Sequence, residues 1–250
     1  MKRSLLELVG VVCVLATAAH AAVVRVSQES SPGMGDFSAN VLGYVEPYGT
    51  DLSAEDYYGY STVFKNSYGG PDPTLTSDRS HLFLVEAADG LSVFTVHDAP
   101  QDDDGGRARM TFQLFSDPDG AAILAKDDPY SDVYTGDPGG SLFTTDNPWI
   151  RENTDGVAIG SLDGPWSLLV DFDEVSVWDN GRLLSWAAYS GDGSVIPLEH
   201  QPDRRVKLDP VQIPEPSGFL IWGLTLPALG WWWRRSVLRG YAKHSALDRR

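Results

Sequence analysis

Residues 81–97 read HLFLVEAADGLSVFTVH. Two apolar runs, His81–Glu86 and Leu91–His97, flank Ala88-Asp89-Gly90. A short break of that composition between runs rich in Val, Leu and Phe predicts a β-hairpin, because Asp and Gly tolerate the turn backbone. Working outward, Met110-Thr111-Phe112-Gln113-Leu114, within Arg107–Phe115, alternates apolar and polar residues. That period of two belongs to a half-buried strand. Further strands are predicted at Val23–Val26, Ala121–Ala125, Val157–Leu162, Trp166–Phe172, Val175–Trp178, Leu183–Tyr189, Val195–Leu198 and Val206–Leu208. Asp179-Asn180-Gly181-Arg182 predicts a second tight hairpin, since Asn-Gly accepts positive φ. Helical periodicity does not persist between residues 22 and 213. Only Asp51–Tyr58, with Ser53 and Asp56 spaced as a capping pair, reads as a short helix. The pattern predicts an all-β ectodomain, a β-sandwich of jelly-roll-like or similar kind. Ser27–Gly70 carries little strand signal and reads as a looser lobe; no internal repeat is visible.

The chain has 250 residues, one Cys and a formal net charge of −16. A phosphate backbone needs a basic face, so the charge argues against nucleic acid as a partner. One Cys excludes an internal disulfide framework and a thiolate zinc site. The charge is unevenly spread. Residues 22–213 hold 32 acidic and 11 basic side chains, a net of −21, whereas both ends are basic.

At the N-terminus, Lys2 and Arg3 precede an apolar run, Leu8 to Ala19, and then Ala19-His20-Ala21. A positive start, a short apolar core and small residues at the inspected positions make a secretory signal peptide, residues 1–21, cut by signal peptidase after Ala21. The run is too short to span about 30 Å of hydrocarbon. Cys13 leaves with the signal, so the mature chain has no Cys. At the other end, Ser217 to Trp233 is 17 residues without a charge. As a helix it reaches about 26 Å, enough for a short membrane span. Trp231, Trp232 and Trp233 fall where an interfacial aromatic belt would lie, and Arg234 and Arg235 follow at once. The basic residues orient this end towards the cytoplasm, and the signal peptide places the domain outside. The two topology arguments agree. Residues 214–235 thus read as a transmembrane sorting segment and 236–250 as a basic cytoplasmic tail.

Pro214-Glu215-Pro216, the apolar span and the Arg cluster resemble a PEP-CTERM sorting signal. The resemblance covers about 25 residues. It implies export in a Gram-negative or related bacterium, processing by exosortase, and retention at the surface or in an exopolysaccharide matrix. The Pro pair keeps the backbone extended ahead of the helix, leaving a strand for a membrane-surface protease. Family tails usually stop near the Arg cluster, whereas this one continues from Ser236 to Arg250. Two further blocks resemble a β-rich domain that recurs in exported PEP-CTERM proteins and has no assigned activity. One is Phe94-Thr95-Val96-His97-Asp98-Ala99-Pro100 with Asp117-Pro118-Asp119-Gly120 and Asp127-Asp128-Pro129. The other is Asn153-Thr154-Asp155-Gly156 with Trp166 and Trp186.

Asp residues cluster in predicted turns. Calcium takes six to eight oxygens from carboxylates and carbonyls in flexible loops, and Asp98, Asp102, Asp104, Asp117, Asp119, Asp127 and Asp128 are its candidates. The Asp98–Asp104 and Asp117–Asp128 loops flank one predicted strand and are expected to converge at one sandwich edge. No segment fits the spaced Asp-x-Asp-x-Asp-Gly loop ending in Glu. The same residues also form turns and keep a surface soluble, so both uses stay open. Tyr57, Tyr58, Tyr60 and Trp149 are candidates for stacking on sugar rings, whereas Trp166, Trp178 and Trp186 lie in strand patterns and read as core. No carboxylate pair is singled out for hydrolysis, and no Gly-x-Ser-x-Gly elbow occurs. His81, His97 and His200 are too scattered for zinc. These features favour a non-enzymatic surface or matrix protein. The alternatives are a calcium-assisted carbohydrate-binding module and, third, an extracellular hydrolase.

Overall fold

The computed structural model describes residues 23–61, 67–103, 105–116, 119–128, 132–162, 164–178 and 183–211. The chain divides into two units, Met1–Val211 and Gln212–Arg250, and every described residue belongs to the first. The signal peptide, Pro214, Glu215, Pro216, Arg234 and Arg235 lie outside the described residues, as do Asp104 and Asp117. Among the described residues, no helix is long and apolar enough to cross a membrane.

The first unit is built of strands. In chain order they are β1 (Val23–Gln28), β2 (Val41–Val45), β3 (Tyr48–Gly49), β4 (Arg79–Ala87), β5 (Gly90–His97), β6 (Gly105–Phe115) and β7 (Ala122–Lys126). There follow β8 (Val133–Thr135), β9 (Leu142–Trp149), β10 (Asp155–Leu162), β11 (Ser167–Trp178), β12 (Ser185–Tyr189), β13 (Val195–Leu198) and β14 (Val206–Val211). A short helix, α1 (Ala54–Tyr58), stands between β3 and β4. One sheet has the order β2-β1-β14-β11-β6-β9-β8, the other β13-β12-β4-β5-β10-β7. Pairing is antiparallel except where β4 meets β12 and β3.

Residue patterns explain the layers. On β6, Ala108, Met110, Phe112 and Leu114 point into the main core. Arg107 and Arg109 point away and both pair with Asp146 of β9. This face of the first sheet therefore neutralises charge locally. On β4 the burial is nearly continuous, because both faces are covered. Leu82 and Leu84 join the main core shared with the first sheet. Phe83 and Val85 face a second cluster with Tyr57, Tyr58 and Tyr68. The helix supplies that cover. Ser53 caps it by accepting the Asp56 backbone N–H at 3.1 Å, and Gly59 closes it at φ 61°.

The β4–β5 hairpin forms as expected, with Ala87 opposite Gly90. The predicted Asp179–Arg182 turn lies outside the described residues; the strands on either side, β11 and β12, belong to different sheets. The predicted strands Trp166–Phe172 and Val175–Trp178 are one strand, β11, which begins at Ser167 and has a bulge between Phe172 and Glu174. The predicted looser lobe contains β2, β3 and α1.

Candidate functional site

Flanking one strand keeps Asp98 and Asp119 apart. β6 has eleven residues, and at about 3.3 Å each it separates the Asp98 side from the Asp119 side by about 35 Å. The return strand β7 then brings Asp127 and Asp128 back. Asp155 begins β10 opposite His97 of β5, and Val157 pairs with Lys126 of β7. Asp98, Asp155 and Asp127 thus sit at one end of three neighbouring strands. Asp119 is exposed and remote from this end.

Asp127 and Asp155 are wholly buried. Asp127 Oδ2 accepts the Tyr58 hydroxyl at 2.6 Å. Asp155 Oδ1 accepts the Gly156 N–H at 2.7 Å and the Asn147 carboxamide at 3.1 Å. Asp127 Oδ1, Asp155 Oδ2 and Asn147 Oδ1 have no hydrogen-bond partner. Tyr134 ties the cluster together: its hydroxyl receives the Asp127 N–H at 3.0 Å and donates to Asp132 at 2.6 Å. Burial first, then the negative Asp132 and Asp127, pushes the Asp155 carboxyl well above the usual range. Burial does the same for Asp127, with Asp132 and Asp128 adding to it against the Tyr58 bond. Gly156 is required here. A Cβ would lie 2.1 Å from the Thr95 carbonyl oxygen and 2.9 Å from the Tyr58 hydroxyl.

Asp98 serves a different purpose. Its Oδ1 accepts the Asp78 and Ala99 N–H groups, and its Oδ2 accepts Trp149 Nε1 at 3.0 Å. Burial pushes its carboxyl up to about 6. Both oxygens are used in bracing the turn, so Asp98 is no free ligand. Asp102 stands beside it and accepts the Asp103 N–H.

Tyr57, Tyr58 and Trp149 are buried. Tyr58 stacks on Phe94 and Trp149 on His97, so neither ring face is open to a sugar. Tyr60 is half-buried against the same cluster. A cleft of about 400 Å³ lies elsewhere, lined among others by Tyr48, Asp72, Tyr189 and Gly191.

His97 lies 2.6 Å from Ser80 Oγ through Nδ1, and both side chains are wholly buried. A Ser–His contact of this kind offers a substrate no approach. Burial holds His97 down at about 3. A buried neutral imidazole contributes stability that is complete above the unfolded value of about 6.5 and is lost as pH falls towards 3. His97→Gln removes that dependence. Its stability deficit in urea unfolding should shrink by about 2 kcal/mol between pH of about 6.5 and about 5; a constant deficit contradicts the neutral assignment.

No family model matches this chain, and no curated protein matches it. The sequence groups Asp127 with Asp128 and Asp132 in one acidic turn, but it does not point to Asn147 and Asp155 as their companions. The signal available was Asp155-Gly156 at the start of an apolar run, a carboxylate followed by the residue that permits close strand approach.

Proposed function

We propose that this chain is an exported, non-enzymatic structural or interaction protein of the cell surface or exopolysaccharide matrix. In this reading a signal peptide, 1–21, precedes an acidic ectodomain, 22–213, folded as a jelly-roll-like β-sandwich. A PEP-CTERM-like segment, 214–235, supplies a transmembrane helix and an exosortase substrate, and 236–250 is a basic cytoplasmic tail. Signal peptidase, exosortase and the bacterial membrane are its partners. The observation that carries the reading is the pairing of β1 with β14, which sets Val23 opposite Val211. The two membrane-addressed segments therefore join the domain at adjacent points. Deleting residues 214–250 in a host with exosortase is expected to move the protein from the envelope fraction to the medium. An unchanged distribution would overturn the sorting assignment.

A second reading, a calcium-assisted carbohydrate-binding module, is favoured by the cleft at Tyr48 and Asp72, where an aromatic edge, a carboxylate and open glycine backbone meet. Glycan arrays probed with and without chelator separate the two. Binding to a glycan supports the module, and no binding under either condition removes it. An extracellular hydrolase ranks third, because the sequence singles out no carboxylate pair and contains no Gly-x-Ser-x-Gly elbow.

A further inference from the structure

We propose that Asp127, Asp132, Asp155 and Asn147 bind one divalent cation, calcium in preference to magnesium, at the end of β7, β9 and β10. The inference is independent of the sorting assignment. It rests first on an imbalance around Asn147. Its Nδ2 lies within hydrogen-bond range of four oxygens: Tyr134 Oη at 3.0 Å, Asp155 Oδ1 at 3.1 Å, Asp132 Oδ2 at 3.3 Å and the Gly156 carbonyl at 3.5 Å. An amide NH₂ has two hydrogens to give. Four acceptors, two of them carboxylate oxygens, around one weak donor describe a place that wants positive charge.

The second observation is the unpartnered oxygens. Asn147 is 0% exposed, Asp127 0% and Asp155 1%, yet Asn147 Oδ1, Asp127 Oδ1 and Asp155 Oδ2 have no hydrogen-bond partner. A buried polar atom without a partner costs free energy, and a buried carboxylate costs more unless paired or bound to metal. Among the described residues, no basic side chain bonds to Asp127 or Asp155. Lys126, next in sequence to Asp127, places its ammonium over the Tyr134 ring, 5.5 Å from the centroid.

The carboxylates alone are not drawn together tightly enough to hold an ion: among the described residues, no group of three acidic or imidazole side chains does so. Asn147 supplies what they lack. Turning its carboxamide over exchanges Nδ2 for Oδ1 and presents an oxygen where the nitrogen now meets Asp132 and Asp155. The donor set is then carboxylates, one carboxamide and the Gly156 carbonyl. These are all hard oxygens, on segments that must contract slightly to reach calcium distances of about 2.4 Å. Magnesium demands a tighter octahedron and gives up water reluctantly, so this loose set favours calcium.

Terbium luminescence tests the site directly, because Tyr58 and Tyr134 adjoin it and transfer excitation to a bound ion. The full-length protein in mild detergent near neutral pH should show sensitised terbium emission that saturates near one ion per chain. Excess calcium should abolish it, and equal magnesium should not. Asp155→Asn should weaken terbium binding at least tenfold, while the exposed Asp51→Asn should leave it unchanged. Equal binding by Asp155→Asn and wild type, or no sensitised emission, overturns the proposal. A melting comparison keeps the test valid if Asp155→Asn fails to fold. Millimolar calcium should raise the wild-type Tm by about 5 °C over chelator; an unchanged Tm also overturns it.

Discussion

Trp186→Ala is expected to lower the unfolding free energy by about 3–5 kcal/mol, as large aromatic deletions from a packed core do. Trp186 comes from β12 in one sheet and meets Phe172 from β11 in the other, edge-on, with ring centroids 4.6 Å apart. The side chain is 1% exposed. Its removal therefore opens a void between the layers, where neither sheet can relax without moving its partner. The aromatic pair adds about 1 kcal/mol beyond the area buried. Trp186→Phe should cost clearly less. It keeps most of the ring volume and removes an indole N–H that has no hydrogen-bond partner. Urea unfolding checks both variants. The midpoint should fall in the order wild type, Phe, Ala with an unchanged slope, since the slope follows the surface exposed rather than its strength. An Ala variant within about 1 kcal/mol of wild type contradicts a single core shared by two sheets.

Arg205→Ala is expected to cost about 3 kcal/mol, because it leaves a buried carboxylate uncompensated. Glu29 follows β1 and is 0% exposed. Its Oε1 accepts Arg205 Nη2 at 2.6 Å and the Gly35 N–H at 2.7 Å, and its Oε2 accepts Arg205 Nε and N–H, each at 3.1 Å. Burial alone would raise the Glu29 carboxyl, but these bonds outweigh it and hold the group below its usual range. The pair clamps the entry to β14 against the exit from β1, at the far end of the ladder from Val23 and Val211. Adding Glu29→Gln to Arg205→Ala should restore part of the loss, because the second change removes the stranded charge. Equal losses for the single and double variants in urea unfolding would show that the charge is not what Arg205 balances.

The fold was largely legible where local chemistry decides structure. The β4–β5 turn and the Ser53 cap are short-range events, and each is written in adjacent residues. β9 was not legible. Its sequence, LFTTDNPW, is polar and contains Pro148, both unusual in a strand. The polar residues are tolerated because Asp146 answers Arg107 and Arg109. Pro148 is tolerated because β8 ends opposite Asp146 and makes no demand on its missing N–H. Around Asp179-Asn180-Gly181-Arg182 the local turn signal is strong, yet β11 and β12 on either side find their partners in separate sheets, a long-range choice that adjacent residues do not encode.

The candidate site shows the same division. Asp127 is visible as an acidic turn residue, but its companions reach it through sheet order, from β8, β9 and β10. Tyr57 and Tyr58 looked like an exposed platform in a row of aromatics. A single helical turn instead swings both into the cluster around Phe83 and Phe94. Charge at the ends of the chain was legible from composition alone. The overall −16 is an acidic stretch, residues 22–213, of −21 flanked by two basic segments.

Mass spectrometry of the protein recovered from the cell envelope tests the sorting account most directly. It predicts an N-terminus at Ala22 and a C-terminus upstream of Arg234. A surface protein intact through Arg250, or one that still begins at Met1, would contradict it.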